Sequence, residues 1–174
     1  GFNFRMTEMQ SMIGLCELKR FDSWHLPNRI KNGEYLIKEL KDHPLVYAAP
    51  LHTKERRSAF WWAPFVLNIE KFKKGITMKE FLAAMGKEGV PVYSVLWPEM
   101  YKEEAFANRR GFGPANYTFY DPRARVIDYT KFNCEHANWL TDRTMCFFVH
   151  PVYGEEQMKA YVAAFKKVAA AYMK

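Results

Sequence analysis

At 174 residues, 49% hydrophobic and 17% aromatic, the chain is long enough to bury the core of one ordinary domain, with or without an arm, and too apolar to be disordered. The 26 Lys and Arg outnumber the 19 Asp and Glu to give a net charge of +7, which suits an anionic partner such as nucleic acid, a phosphate ester or a membrane surface without requiring one. No run approaches the roughly 18 apolar residues of a membrane span, and the first thirty residues are too charged for a secretory signal, so a soluble, cytoplasmic protein is expected.

In chain order, Thr7 and Gln10 form a capping box, with Met9, Met12, Ile13, Leu15, Cys16, Leu18 and Phe21 at helical spacings behind them. A helix is predicted over about 7–24. Pro27 should kink or restart it, and Ile30, Leu36, Ile37 and Leu40 mark a second helical stretch ending before His43-Pro44. "LVYAAPLH" and "SAFWWAPFVLNI" are rich in aromatic and β-branched residues and predict strands near 45–49 and 58–69, with Pro64 at an edge or a bulge. Thr77 and Glu80 form a second capping box, opening a helix that should stop near Gly86 or Gly89, and "VPVYSVL" at 90–96 reads as a strand. From Trp97 to about Lys131 the chain is irregular apart from a short helical piece around Glu99 to Phe106. A loop of this length and aromatic content is expected to be functional. A helix near 134–142, a strand at 144–149 and a one-sided final helix from about 155 complete an α/β pattern: a mixed sheet with packed helices. Two units are expected, a helical arm at 1–44 and an α/β domain at 45–174.

The opening "GFNFRMTE" places Asn3 and Arg5 just ahead of a helix start. Free N–H groups and the positive dipole end favour an anion there, and Arg5 can clamp a phosphate or carboxylate through two parallel hydrogen bonds. The same chemistry also allows a plainer role, with Asn3 turning the chain and Arg5 pairing with a nearby acid.

The stretch "GFNFRMTEMQSMIGLCELKRFDSW" resembles the segment G-x-N-x-R-M-x-E-x-x-x-x-I-G-x-x-x-L of the DegT/StrS family of pyridoxal-phosphate-dependent sugar aminotransferases. Gly1, Asn3, Arg5, Met6, Glu8, Ile13, Gly14 and Leu18 fall on it. Later stretches, "NRIKNGEYLIKELKD", "GVPVYSVLWPEMYKEEAF" and "CFFVHPVYGEEQMKAYVAAFKKV", are similar to the family's arm helix, substrate-side strand, and last strand with C-terminal helix. The resemblance covers nearly the whole chain and implies the C-terminal small domain of a fold type I transferase, preceded by a long helical arm. It further implies that the Schiff-base lysine and the aspartate on the pyridine nitrogen belong to a large domain outside this segment, so that the chain alone is not expected to be active. By the same resemblance Asn3 would reach the phosphate of pyridoxal 5'-phosphate across a homodimer interface. Arg5 would face the substrate's anionic portion, and Tyr101 and His150 the substrate side. The reaction implied is transfer of an amino group from glutamate or glutamine to a keto sugar, nucleotide-linked, or a keto cyclitol.

Two other classes compete. Trp61, Trp62, Phe60 and Phe65 with "KERR" and "RRGFG" could form a single-stranded nucleic-acid surface if all shared one exposed face, and burial of both tryptophans against the helices would remove that reading. The apolar arm would alternatively suit a non-catalytic interaction or dimerisation domain. Cys134, His136, Cys146 and His150 have zinc-ligand chemistry but not the spacing of a known finger, and Cys134 and Cys146 are expected to be small buried residues. Three irregularly spaced cysteines fit a reducing compartment.

Overall fold

The computed structural model describes residues 4–95, 99–123 and 125–174. The expected Thr7 and Gln10 capping box forms in full and opens α1, Glu8–Arg20. The helical path does not break at Pro27. It passes through a π-helical stretch, Phe21–His25, into α2, Leu26–Leu40, with Pro27 in the first turn of α2. α1 buries none of its residues, whereas α2 sinks Asn32, Gly33, Leu36 and Leu40, one stripe at helical spacing, into the protein.

Among the described residues the sheet has four strands in the order β1-β2-β4-β3: β1 Val46–Ala48, β2 Trp62–Leu67, β3 Val92–Tyr93 and β4 Thr144–Phe148. All three pairings are antiparallel. β2 is shorter than the span 58–69, and β3 keeps two residues of the expected seven, of which Leu96 lies outside the described residues. Pro64 sits in an interior strand, yet β1 ends at the Ala48–Val66 pair and never reaches it. Pro64 is therefore paired, opposite Cys146, on one side only, in regular register with β4; the shift in register between β1 and β2 lies away from it, between Val46 and Ala48.

Alternation along β2 and β4 separates two faces. Ala63, Phe65, Met145 and Phe147 are fully buried beneath α2, α3 (Met78–Lys87) and α7 (Glu155–Tyr172). A run of rings carries this core across the layers: Phe65 meets Phe147 at 5.6 Å, Phe147 meets Phe165 of α7 at 6.3 Å, and Phe165 meets Phe81 of α3 at 5.8 Å. Each such fully buried side chain stabilises the fold by about 1.5–3 kcal/mol through removal from water. The chain's end is fastened by a bridge between Phe72 and Met173.

The other face carries Trp62, which packs edge-on against Tyr93 at 5.0 Å and Phe148 at 5.5 Å. Trp61 beside it is 60% exposed. Neither tryptophan is buried in the core, whereas Phe60 and Phe65, the other two rings of the nucleic-acid reading, are, so the four do not share one exposed face. Between β3 and β4 the long irregular segment folds into α4 (Glu104–Ala107), α5 (Tyr117–Tyr120) and α6 (Glu135–Thr141), joined by short 3-10 turns. Cys134 precedes α6 and is exposed, contrary to the expectation of burial, because the helix it starts packs lightly and buries none of its residues. Cys146 is half-buried in β4, and burial pushes its thiol pKa up.

Candidate functional site

The start of α2 meets the turn after β4. Asn32, only 4% exposed, donates from Nδ2 to the carbonyls of His150 (3.2 Å) and Tyr153 (2.9 Å). A buried amide needs such partners, and here they lock the turn 150–153 to the helix. His150 Nδ1 accepts the Val152 N–H at 3.3 Å, which leaves Nε2 as the protonated nitrogen of the neutral ring. The ring packs in a triangle with those of Phe148 and Tyr153, at 5.9 and 5.6 Å, which are 6.4 Å from each other. Its pKa is lowered, first by burial and then by the nearby Arg29 and His25.

Arg29, one turn before Gly33, donates from Nη1 to the Phe60 carbonyl at 3.3 Å, and burial lowers its pKa. Two donor-capable atoms in this cluster, Arg29 Nε and His25 Nδ1, are buried with no hydrogen-bond partner among the described residues. Such atoms cost stability unless something pairs with them. A carboxylate or phosphate would meet both the charge and the geometry of the guanidinium. A cavity of about 350 Å³ opens beside the cluster, lined among others by Trp24, Asn28, Asn32 and Tyr153.

The site residues expected from the sequence are placed as follows. Asn3 lies outside the described residues. Arg5 is exposed in the irregular segment leading to the Thr7 cap. Tyr101, in the 3-10 turn Met100–Lys102, accepts the Cys134 N–H through its hydroxyl at a long 3.5 Å, and its ring rests on Phe132 at 6.3 Å. His150 lies in the α2 cluster, and no contact among the described residues joins Tyr101 to it. Among those residues no group of three or more His, Cys, Asp or Glu side chains stands close enough to hold a metal ion.

Sequence reading missed Asn32, Arg29 and His25. Asn32 had left a signal: it shares the helical stripe of Leu36 and Leu40 at four-residue spacing, so a polar group was destined for burial and needed partners. Every lysine in the chain is exposed. Where lysine amines shift, they shift upward: Lys159 reaches about 12 beside Glu155 and Glu156, and Lys102 is raised by Glu99. That is the wrong direction for an amine that must be neutral to attack a carbonyl. Among the described residues no helix is long and apolar enough to cross a membrane.

Comparison with known proteins agrees with this architecture. An aminotransferase from Psychrobacter cryohalolentis superimposes with a TM-score of 0.72 at 24% identity, over 98% of this chain and 40% of its own. A Helicobacter pylori aminotransferase involved in the biosynthesis of pseudoaminic acid gives a TM-score of 0.73 at 18% identity, over 98% and 39%. The E. coli GDP-4-keto-6-deoxy-D-mannose-3-dehydratase, solved with bound hydrated pyridoxal phosphate, gives 0.68 at 20% identity, over 95% and 36%. The chain thus spans about 40% of the length of the solved proteins it matches. No significant match was found among curated protein sequences. The family model described as the DegT/DnrJ/EryC1/StrS aminotransferase family matches residues 1–166, nearly the whole chain, and the protein therefore belongs to that family.

Proposed function

We propose that this chain is the C-terminal portion of a pyridoxal-phosphate-dependent aminotransferase that completes a dimeric active site and acts on a keto sugar or keto cyclitol, with glutamate or glutamine as amino donor. The observation that carries it is the family match over residues 1–166, on an architecture shared with aminotransferases two and a half times as long. The cofactor supplies an electron sink for the bond changes at the amine-bearing carbon. The residues of this chain fit its anionic end: Arg29 and His25 offer buried, unpaired nitrogen atoms, and Asn3 and Arg5 precede a capped helix whose N-terminal N–H groups favour negative charge. They do not fit its aldehyde, because no lysine is buried, which supports a Schiff-base lysine supplied by another domain.

In this reading residues 1–44 link the large domain to the α/β unit 45–174. Asn3 donates its amide to the cofactor phosphate of the neighbouring subunit, and Arg5 clamps the anionic portion of the substrate. Tyr101 and His150 line the substrate side. His150, held neutral by its surroundings, presents an N–H at Nε2 that can orient a sugar hydroxyl or carbonyl. The exposed apolar side chains of α1, Met9, Met12, Ile13, Leu15 and Leu18, supply the surface for the dimer. The same surface would equally serve a non-catalytic dimerisation domain. In the full-length enzyme, Asn3→Ala should raise the dissociation constant for pyridoxal phosphate about tenfold, the effect of losing one good hydrogen bond to a charged group. Equilibrium dialysis against the cofactor measures it, and an unchanged constant would remove Asn3 from the phosphate site.

A further inference from the structure

α2 grips both segments that leave the sheet at the end where Trp62 pairs with Phe148. On the β2 side Arg29 donates to the Phe60 carbonyl at 3.3 Å, and the Phe60 ring lies against Gly33. On the β4 side Asn32 gives its amide Nδ2 to two carbonyls, those of His150 at 3.2 Å and Tyr153 at 2.9 Å. Asn32 shares the buried stripe of α2 with Leu36 and Leu40, a place where an apolar side chain would fill space as well. Leucine would offer neither carbonyl a hydrogen, and a carboxylate would set acceptor against acceptor. The position therefore suits an amide for the hydrogens it donates and not for its bulk.

The turn so held sets the chemistry of its first residue. The Tyr153 N–H returns to the His150 carbonyl at 3.1 Å and closes the turn, and within it the Val152 N–H meets His150 Nδ1 at 3.3 Å. A ring nitrogen that accepts a hydrogen bond does not carry the proton, so the neutral ring is the Nε2–H tautomer. Contacts with the Phe148 and Tyr153 rings hold its plane. Among the described residues Nε2 has no hydrogen-bond partner, which leaves its N–H to a ligand.

We infer that Asn32 is a positioning residue for His150: by holding the His150 and Tyr153 carbonyls it fixes the turn that makes Nε2 the donor nitrogen and keeps the ring in one place. The inference deepens the proposed function and rests on it only for what the N–H meets, a hydroxyl or carbonyl of the acceptor. The arrangement itself is made wholly by this chain, so it is measurable without cofactor or large domain.

Two-bond proton–nitrogen correlation spectra of the nitrogen-labelled 174-residue chain, taken at about pH 8, above histidine's ordinary titration range, report the tautomer. His150→Gln assigns the ring signals by their loss. The unaltered chain should give the nitrogen shifts of a fixed Nε2–H tautomer and a cross-relaxation contact between the ring and the Val152 N–H, a result that needs no variant to fold. In Asn32→Ser, whose side chain is too short to serve both carbonyls, that contact should fall at least about threefold and the nitrogen shifts should move toward those of a free imidazole; Asn32→Ala should show the same changes. Leu36→Ala, a loss of packing on the same buried stripe, should lower the urea midpoint and leave the ring signals in place. In the full-length enzyme Asn32→Ser and His150→Gln should raise KM for the acceptor by similar factors, and the double variant no further, as expected of two residues acting as one unit. An averaged tautomer in the unaltered chain, unmoved ring signals in Asn32→Ser, or equal movement in Leu36→Ala would overturn the inference. An unchanged KM in His150→Gln would instead remove the histidine from the substrate side, and the tautomer result would stand without it.

Discussion

Gly33 shows how narrowly one residue can be specified. A Cβ added there would lie 2.3 Å from the Phe60 ring, which is fully buried and held by a backbone with φ of 47°, a conformation bulky residues avoid. The ring has no other place to go: the Phe60 carbonyl accepts from Arg29, its N–H donates to Ser58 Oγ at 3.0 Å, and the ring leans on His52 at 5.0 Å. Gly33→Ala should therefore destabilise the protein by about 1–3 kcal/mol, the usual cost of overpacking, seen as a lower urea midpoint. His43 gives a prediction in pH. Its Nδ1 accepts the Leu45 N–H at 3.1 Å and its ring meets Phe165 edge-on at 5.2 Å; burial, then Lys166 and Lys71, lower its pKa below 6.5. Because the unfolded chain binds that proton more readily, stability should be fully present above about pH 6.5 and fall as pH drops through the folded-state value. His150 is shifted the same way and adds to the loss. Exposed carboxylates with lowered values act in a separate window, below 4.5. Urea midpoints between pH 7.5 and 5.5 should decline, and His43→Gln, which keeps an acceptor but does not titrate, should flatten part of that decline.

Among the elements, α1 and α7 are both well-formed helices with opposite surroundings. α7 buries seven residues, from Met158 to Ala169, and α1 buries none. A helix of α1's length gains little from backbone bonds alone, so its opening free energy should be small. Amide hydrogen exchange of the isolated chain should show protection in α1 at least about a hundredfold below that in the centre of α7, unless a partner covers it. Both helix starts with a capping box were legible because a cap is set by residues three apart: Thr7 with Gln10, and Thr77 with Glu80. The strands were legible in type and blurred in extent, since "SAFWWAPFVLNI" is apolar throughout while the ladder it forms is limited by the five pairs that β4 offers β2. The π-helical stretch Phe21–His25 was not legible, because one extra residue per turn leaves no composition mark and helical spacing resumes beyond it. At the site, the Asn3 and Arg5 motif stood out for its chemistry. The cluster of Arg29, His25 and His150 joins residues more than a hundred positions apart, and only the packing of α2 on the turn after β4 reveals it.

The whole molecule is a well-packed α/β unit with a sealed core and several apolar surfaces left toward solvent. Its helices seal Phe65, Phe81, Phe147 and Phe165 in the core, while Trp61, the apolar side chains of α1 and the half-exposed Trp62 cluster remain toward solvent. The chain belongs to the aminotransferase family over residues 1–166 and spans about 40% of the length of its solved relatives; under the proposed function, the exposed apolar surfaces are where the rest of an active site would meet it. The most direct test is to titrate the 174-residue chain with pyridoxal phosphate by absorbance, reduce with borohydride, and locate any modified lysine by mass spectrometry. With every lysine exposed, no saturable site and no single labelled lysine are predicted. Stoichiometric binding reduced onto one lysine would contradict the account, because the chain would then carry the cofactor chemistry by itself.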